Sequence, residues 1–183
     1  MRNSITRLAF AVILFGSILT WAQKDVPPAK ESAPDVPDAI AVPAGLDPVL
    51  FVHAKGSQIY KCTLGASGRY DWTLQGPEAE LKDRKDKVIG QHSGGLAWKL
   101  KDGSEVTGKP AAQVDSLDSE SIPWLLIDVQ SNSNKGALAN VTRIQRVHTH
   151  GGKPGNQACD EAHKDAETRS EFTADYYFFA PAK

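Results

Sequence analysis

The sequence predicts a single all-β domain, built as one antiparallel β-sandwich or β-barrel, and three observations support this class. Apolar and polar residues alternate in several short runs, as they do on half-buried strands. These runs are separated by segments rich in the chain's 15 glycines and 11 prolines. Helical periodicity is nearly absent, so we expect at most one short helix, over residues 156–166. Short strands punctuated in this way are typical of sandwiches and barrels.

The first half of the domain contains three predicted strands. Residues 49–54 and 58–64 flank a predicted turn at residues 55–57 (KGS), which would make them a β-hairpin. Tyr70, Trp72 and Leu74 alternate with polar residues and predict a half-buried strand. The mixed charges of residues 78–87 indicate a solvated strand and turn rather than a binding patch.

Five further strands are predicted in the second half. Residues 96–100 alternate, and Asp102-Gly103 then turns the chain into a strand at residues 105–108. Residues 122–129 (IPWLLIDV) are apolar on both faces and predict a central strand, with Pro123 at its start. Residues 141–149 and 172–179 supply two more. The pattern does not distinguish a sandwich from a barrel.

The amino terminus predicts a cleavable export signal over residues 1–22. Arg2 and Arg7 precede or border an uncharged run of twelve residues, and small side chains lead to a cleavage site before Gln23. An uncleaved anchor is the alternative, but a spanning helix needs about 20 apolar residues. Residues 23–41 are rich in Pro, Ala and charge and predict a disordered leader. Residues 42–183 would then form the domain.

Composition limits the partners and the compartment. Loss of the two signal arginines would change the formal net charge from −1 to −3, and no Lys/Arg cluster remains, so nucleic acid is not an expected partner. No transmembrane segment is expected after signal removal, and we expect a periplasmic or extracellular protein. No G-x-G-x-x-G motif follows a strand, and no cofactor is predicted.

The chain has two cysteines, Cys62 and Cys159. In an oxidising compartment two such residues usually form a disulfide. Two separate buried thiols are the alternative. A zinc site is less favoured, because structural zinc sites generally use closely spaced cysteine pairs.

From about residue 42 to the end, the chain contains a series of short sequence elements, in the same order, that are similar to those of a known family. It resembles the domain of unknown function 3455 family, whose members are uncharacterised exported bacterial and fungal proteins. The resemblance implies a secreted domain and brings no established activity. The elements that carry it are HAKG (53–56), QIYKC (58–62), Trp72, PEA (77–79), IGQH (89–92), Trp98, DGS (102–104), IPWLL (122–126), IQR (144–146), Gly151-Gly152, Cys159 and ADYYF (174–178).

Four residues are predicted to line one ligand cavity: Gln58, Tyr60, His92 and Trp98. The glycines after His92 allow close backbone approach, and Trp98 could form a pocket wall. This predicts a binding or structural module of the cell envelope or secretome that recognises a small ligand, a glycan or a protein. Several aromatic residues could alternatively form a stacking platform or simply the core: Tyr60, Trp72, Trp98, Trp124, Tyr176 and Tyr177.

His53 and His92 are the candidate catalytic residues of a second hypothesis, a secreted hydrolase or lyase. His53 shares the parity of Val49 and Phe51, so we expect it to point inward. Two inward imidazoles beside an acid such as Glu78 or Asp128 could perform acid–base chemistry near neutral pH. The alternative is that each is a core histidine bonded to backbone.

A third hypothesis is a histidine-ligated metalloprotein. His148 and His150 lie two residues apart on a predicted strand and would share one face. They could hold a metal ion with His53 or His92 as third ligand. Two exposed polar residues that enter a glycine turn are the favoured alternative, so these histidines are weak metal candidates.

Overall fold

The computed structural model describes residues 31–182, which form eight β-strands and three single-turn 3-10 helices. The strands are β1 (Leu46–Leu64), β2 (Tyr70–Lys82), β3 (Val88–Ser93), β4 (Ala97–Leu100), β5 (Glu105–Val114), β6 (Trp124–Asn132), β7 (Arg143–Gly151) and β8 (Glu167–Pro181). The 3-10 turns are Asp38–Ile40, Gly136–Leu138 and Glu161–His163. None of the helices in this part of the chain is long and apolar enough to cross a membrane.

The strands form one closed antiparallel barrel in sequence order. Each strand pairs with the next along the chain, and β8 closes the ring by pairing with β1 from Leu46↔Pro181 to Lys61↔Glu167. The predicted all-β class is confirmed, and the architecture is a barrel. Strand β6 begins directly after Pro123, as expected for a residue that cannot donate to the sheet.

The hairpin predicted at residues 55–57 is wrong, because β1 continues through them as one strand. Gly56 accounts for the error: a Cβ atom at this position would overlap the backbone of Glu78 and Ala79 on β2. Glycine inside a strand permits such a close approach at a barrel bend. Gly56, which predicted a turn, therefore lies at a bend within one long strand.

The barrel has an apolar interior and a second apolar cluster on its outer surface. Alternate residues of the strands fill the interior, with Trp98, Tyr176 and Phe178 among the largest fully buried side chains. The outer cluster contains Ile40, Trp124, Val147, Tyr177 and Phe179.

The segment before β1 covers this outer cluster. Val36, Ile40 and Val42 pack there, and Gln145 Nε2 donates to the Ile40 carbonyl at 2.7 Å. Ile40 is fully buried, so the predicted disordered leader needs correction at its end near the barrel. Residues 23–30 of the predicted leader and the predicted signal at residues 1–22 lie outside the described residues.

Cys62 and Cys159 form the predicted disulfide, which joins β1 to the connection between β7 and β8. At most one short helix was expected, over residues 156–166, and the structure forms only the 3-10 turn Glu161–His163 there. Asp160 caps this turn by accepting from the His163 backbone N–H at 3.1 Å. The covalent link, rather than a helix, fixes this connection to the barrel.

We expect Gly108→Ala to destabilise the barrel by about 1–3 kcal/mol, the usual range for overpacking. A Cβ atom at this β5 position would lie 2.5 Å from Ile127 Cγ2 and 3.1 Å from the Asp128 carbonyl oxygen. Urea denaturation measures the change. The control is Gly65→Ala, whose new Cβ would meet nothing closer than the Arg69 carbonyl oxygen at 3.4 Å. Equal midpoints for the two variants would contradict the assigned packing of β5 against β6.

Candidate functional site

Three aromatic rings meet inside the barrel: His92 on β3, Trp98 on β4 and Tyr176 on β8. His92 and Trp98 are directly opposed in the β3–β4 hairpin, and their rings stack with centroids 4.5 Å apart. The Tyr176 ring meets them edge-on at 5.2 Å and 5.4 Å. Gly94 and Gly95, both with positive φ, make the tight turn that holds the hairpin together.

His92 is held in one tautomer and is neutral. Its Nδ1 lies 2.7 Å from the Ala97 carbonyl oxygen, which can only accept, so Nδ1 carries the proton. Burial lowers the pKa of His92 to about 4, the backbone hydrogen bond opposes this shift, and the Arg146 cation adds to it. Nε2 therefore presents a lone pair inside the barrel.

Four polar atoms of inward side chains are buried and have no hydrogen-bond partner within residues 31–182. They are Gln58 Oε1, His92 Nε2, Trp98 Nε1 and Tyr176 OH. Gln58 Oε1 and His92 Nε2 can only accept, Trp98 Nε1 can only donate, and the tyrosine hydroxyl can do both. An unsatisfied buried polar group costs about 1–3 kcal/mol, so such a group calls for an occupant.

Arg146 on β7 lies beside this cluster. It points into the barrel, because its register partners Leu125 and Tyr176 both belong to the interior core. Its Nε and Nη2 donate to the Pro123 carbonyl at 3.1 and 2.8 Å. Burial raises the pKa of Tyr176, and nearby Arg146 opposes that shift without forming a hydrogen bond of normal geometry to the hydroxyl.

Tyr60 lies at the same end of the interior. Its hydroxyl donates to the Gly152 carbonyl at 2.7 Å. Burial raises the pKa of Tyr60, and the charge of Arg146 again opposes the shift. Arg146 is in register with Tyr176, whose ring meets those of His92 and Trp98.

The structure places all four predicted cavity residues, Gln58, Tyr60, His92 and Trp98, on the buried inner surface. His92 and Trp98 are in contact, and Arg146 lies near Tyr60 and His92. Ligand binding by these residues stays a prediction. Sequence reasoning missed Arg146, although its parity with apolar Ile144 was an available signal.

The aromatic residues do not form one stacking platform. Tyr60, Trp98 and Tyr176 lie inside the barrel, whereas Trp124 and Tyr177 belong to the outer cluster. Trp72 instead donates from Nε1 to the Gln157 carbonyl at 3.0 Å. The barrel wall separates these aromatic residues into unconnected groups.

His53 does not point inward, contrary to expectation. Its β1 neighbours Val52 and Ala54 are in the interior core, whereas the His53 side chain is 41% exposed. His53 and His92 therefore lie on opposite faces of the barrel wall and do not form the predicted acid–base pair. The predicted carboxylates are engaged elsewhere: Glu78 pairs with Arg169 at 2.7 Å and Asp128 with Arg143 at 3.0 Å.

His53 belongs to a second cluster, on the outer surface. Asp175 accepts from His53 Nδ1 at 2.8 Å through Oδ1 and from His148 Nδ1 at 3.0 Å through Oδ2. The Trp124 ring lies edge-on to His148, with centroids 5.3 Å apart. One carboxylate thus orients two half-exposed imidazoles.

A β-bulge in β7 places His148 in this outer cluster. The register with β8 shifts between Val147 and His150, and His148 has a φ of 48°. Bulges re-aim side chains in this way. His150 is in register with Thr173 and does not join the pair. Within residues 31–182 no group of three His, Cys, Asp or Glu side chains is arranged to hold a metal ion.

We predict that stability rises with pH between about 4 and 6.5 because of His92. In the unfolded chain the His92 imidazole has its ordinary pKa of 6.5 and binds a proton below that pH. In the folded protein its pKa is about 4, so the buried ring binds this proton only near pH 4 and below. His92 alone should lower the free energy of unfolding by about 2–3 kcal/mol at pH 4.5 relative to pH 7. Urea denaturation at both pH values should show a smaller difference for His92→Gln.

His163→Gln is the matched control, because His163 is exposed and bonds only to Asp160 at 2.6 Å. It should keep most of the wild-type pH dependence. An unchanged pH dependence in His92→Gln would contradict a neutral buried imidazole.

Comparison with known families gives one match. The family model described as "Protein of unknown function (DUF3455)" matches residues 43–180. This range contains strands β1 to β7, all of β8 except Pro181, and the five histidines of the chain. No curated protein and no solved structure matches the chain. The chain therefore belongs to the DUF3455 family of proteins of unknown function.

Proposed function

We propose that this barrel binds a small polar organic molecule in its interior, beside His92, Trp98 and Tyr176. The observation that carries the proposal is the set of four buried polar atoms without partners. Each costs free energy when left unpaired, and a ligand with hydrogen-bonding groups would remove that cost. Because native interiors satisfy nearly all buried polar groups, four in one interior favour an occupant.

The chemistry of these atoms defines what the ligand must offer. His92 Nε2 and Gln58 Oε1 need a hydroxyl or N–H donor, while Trp98 Nε1 needs an oxygen acceptor. Large side chains, including Trp98, Tyr176 and Phe178, already occupy the interior. The ligand is therefore a compact molecule of a few heavy atoms, and a glycan chain or protein partner does not fit the same position.

We infer that the ligand enters at the end of the barrel where Tyr60 and Arg146 lie. Two connections close this end, joined by the bridge between Ser121 and Gly152. Lys153 Nζ donates to the Ser119 carbonyl across them, and both partners are exposed. Breaking these few surface contacts would expose the interior at this end of the barrel.

We propose that binding takes place outside the cytoplasm, in the cell envelope or secretome. The disulfide between Cys62 and Cys159 supports this compartment, since such bonds persist in oxidising surroundings. The export signal predicted for residues 1–22 agrees with it.

The binding proposal predicts a ligand-induced rise in the thermal unfolding midpoint. Three probes each combine a hydroxyl donor with a second oxygen: glycolate, glycolamide and ethylene glycol. At least one should stabilise the protein, because a ligand at 100 times its dissociation constant adds about 2.7 kcal/mol. Trp98→Phe should reduce the shift, since it removes an interior N–H donor.

Trp124→Phe is the matched control, because Trp124 Nε1 is also buried and unpartnered but belongs to the outer cluster. Its probe-induced shift should equal that of the wild type. If no probe shifts the wild-type midpoint, or if both tryptophan variants respond alike, the interior binding site is wrong.

A second function, acid–base catalysis, is favoured by the outer cluster. Asp175 accepts from Nδ1 of both His53 and His148, so each neutral imidazole presents an Nε2 lone pair. One carboxylate charge can balance one imidazolium, which leaves a proton donor and a proton acceptor side by side. Such a pair suits ester hydrolysis, in which one imidazole takes a proton from attacking water and the other protonates the leaving alkoxide.

This second function predicts hydrolysis of ethyl acetate above the background rate, because its ethoxide leaving group, unlike a nitrophenoxide, needs a proton as it departs. His53→Gln and His148→Gln should each lower kcat/KM at least about tenfold, since a positioned acid or base contributes about 10²–10⁴-fold. His163→Gln, which alters another exposed His–Asp pair, should leave the rate unchanged. Equal rates in all three variants would exclude the outer cluster as a catalytic site.

A further inference from the structure

Arg146 is a buried cation without a buried anion. Its residue is 7% exposed, and within residues 31–182 it is the only Asp, Glu, Lys or Arg in the buried class. The ion pairs of the described residues do not include it. A guanidinium cannot lose its charge by deprotonation, so burial leaves this positive charge inside the barrel.

Arg143, three residues earlier on the same strand, shows the usual arrangement. Its Nε lies 3.0 Å from Asp128 Oδ1, and both side chains are about one-third exposed. Arg143 thus has an anionic partner and access to water. Arg146 has no ion-pair partner among the described residues and little access to water. The difference follows from parity, because residues 143 and 146 of β7 face opposite sides of the wall.

The groups around Arg146 are neutral. The Pro123 carbonyl accepts from Nε and Nη2 at 3.1 and 2.8 Å. Tyr176 is its register partner on β8, and the charge of Arg146 also acts on Tyr60 and on the neutral His92 ring. These groups provide dipoles but no negative charge, and buried charges in proteins are normally paired.

We propose that the molecule bound in the barrel is a small carboxylate, whose anionic group pairs with Arg146. This inference rests on the interior binding site proposed above and adds the charge of its ligand. A planar guanidinium donates in parallel to the two oxygens of a carboxylate, and the Pro123 carbonyl engages Nε and Nη2 of Arg146 but not Nη1. A single negative charge neutralises a single cation, whereas a dianion would leave an excess charge in an apolar interior.

The remaining unpartnered atoms are compatible with this ligand. Trp98 Nε1 and the Tyr176 hydroxyl are donors that a carboxylate oxygen can accept from. His92 Nε2 and Gln58 Oε1 are acceptors, and they would bind a hydroxyl or N–H elsewhere on the same molecule. Glycolate offers both kinds of group, and glycolamide differs from it only in replacing the charged carboxylate by a neutral amide.

The experiment compares glycolate with glycolamide on the full mature protein by thermal unfolding and calorimetric titration at pH 7.5. Sodium chloride keeps the ionic strength equal in every sample. Glycolate should bind at least tenfold more tightly than glycolamide. Arg146→Met should remove this preference, and Arg143→Met, which removes a paired surface arginine, should retain it.

The possible results separate this inference from the proposed function. If glycolamide binds as tightly as glycolate, the interior site stands and the carboxylate inference is wrong. If chloride or sulfate stabilises the protein as strongly as glycolate, the site holds an adventitious ion only, and the inference is equally wrong. If ethylene glycol alone binds, the interior site stands and the carboxylate inference is wrong, and if none of the three probes binds, both the site and its charge preference are overturned. The wild-type comparison decides these cases even if Arg146→Met does not fold.

Discussion

Closure of the sheet by the long pairing of β1 with β8 is the constraint on which the rest of this structure depends. It gives every strand a partner on both sides and creates an interior that excludes water. The bend in β1 needs Gly56, where any side chain would overlap β2. Once the ring is closed, strand parity decides whether a residue faces the interior or the outer surface. Arg146 and His92 are buried in this way, and His53 and His148 remain accessible.

The two candidate sites follow from this division of the barrel wall. Inside, burial keeps His92 neutral and leaves its Nε2 and three other polar atoms without partners beside an uncompensated guanidinium. Outside, Asp175 orients His53 and His148 while water reaches both rings. The interior favours recognition of a small molecule, and the outer surface favours proton transfer. Burial, more than residue type, separates the two kinds of chemistry.

Local patterns predicted much of the fold but not the orientation of β1. Alternation located the strand at Tyr70, and Pro123 correctly marked the start of β6. His53 was assigned to the wrong face because Phe51, which shares its parity, is apolar. Phe51 packs into the outer cluster that the Val36–Val42 region covers, so both faces of β1 carry apolar residues. The shared bonding of His53 and His148 to Asp175 depends on long-range register and on the β7 bulge, neither of which alternation encodes.

A high-resolution crystal structure of the protein, grown with glycolate, would show whether the barrel interior holds an organic anion. We expect density for one such anion inside the barrel, with a carboxylate oxygen within hydrogen-bond distance of Arg146 and a second polar contact to Trp98 Nε1 or His92 Nε2. Density for ordered water alone at these atoms, with no organic molecule in the interior, would contradict it.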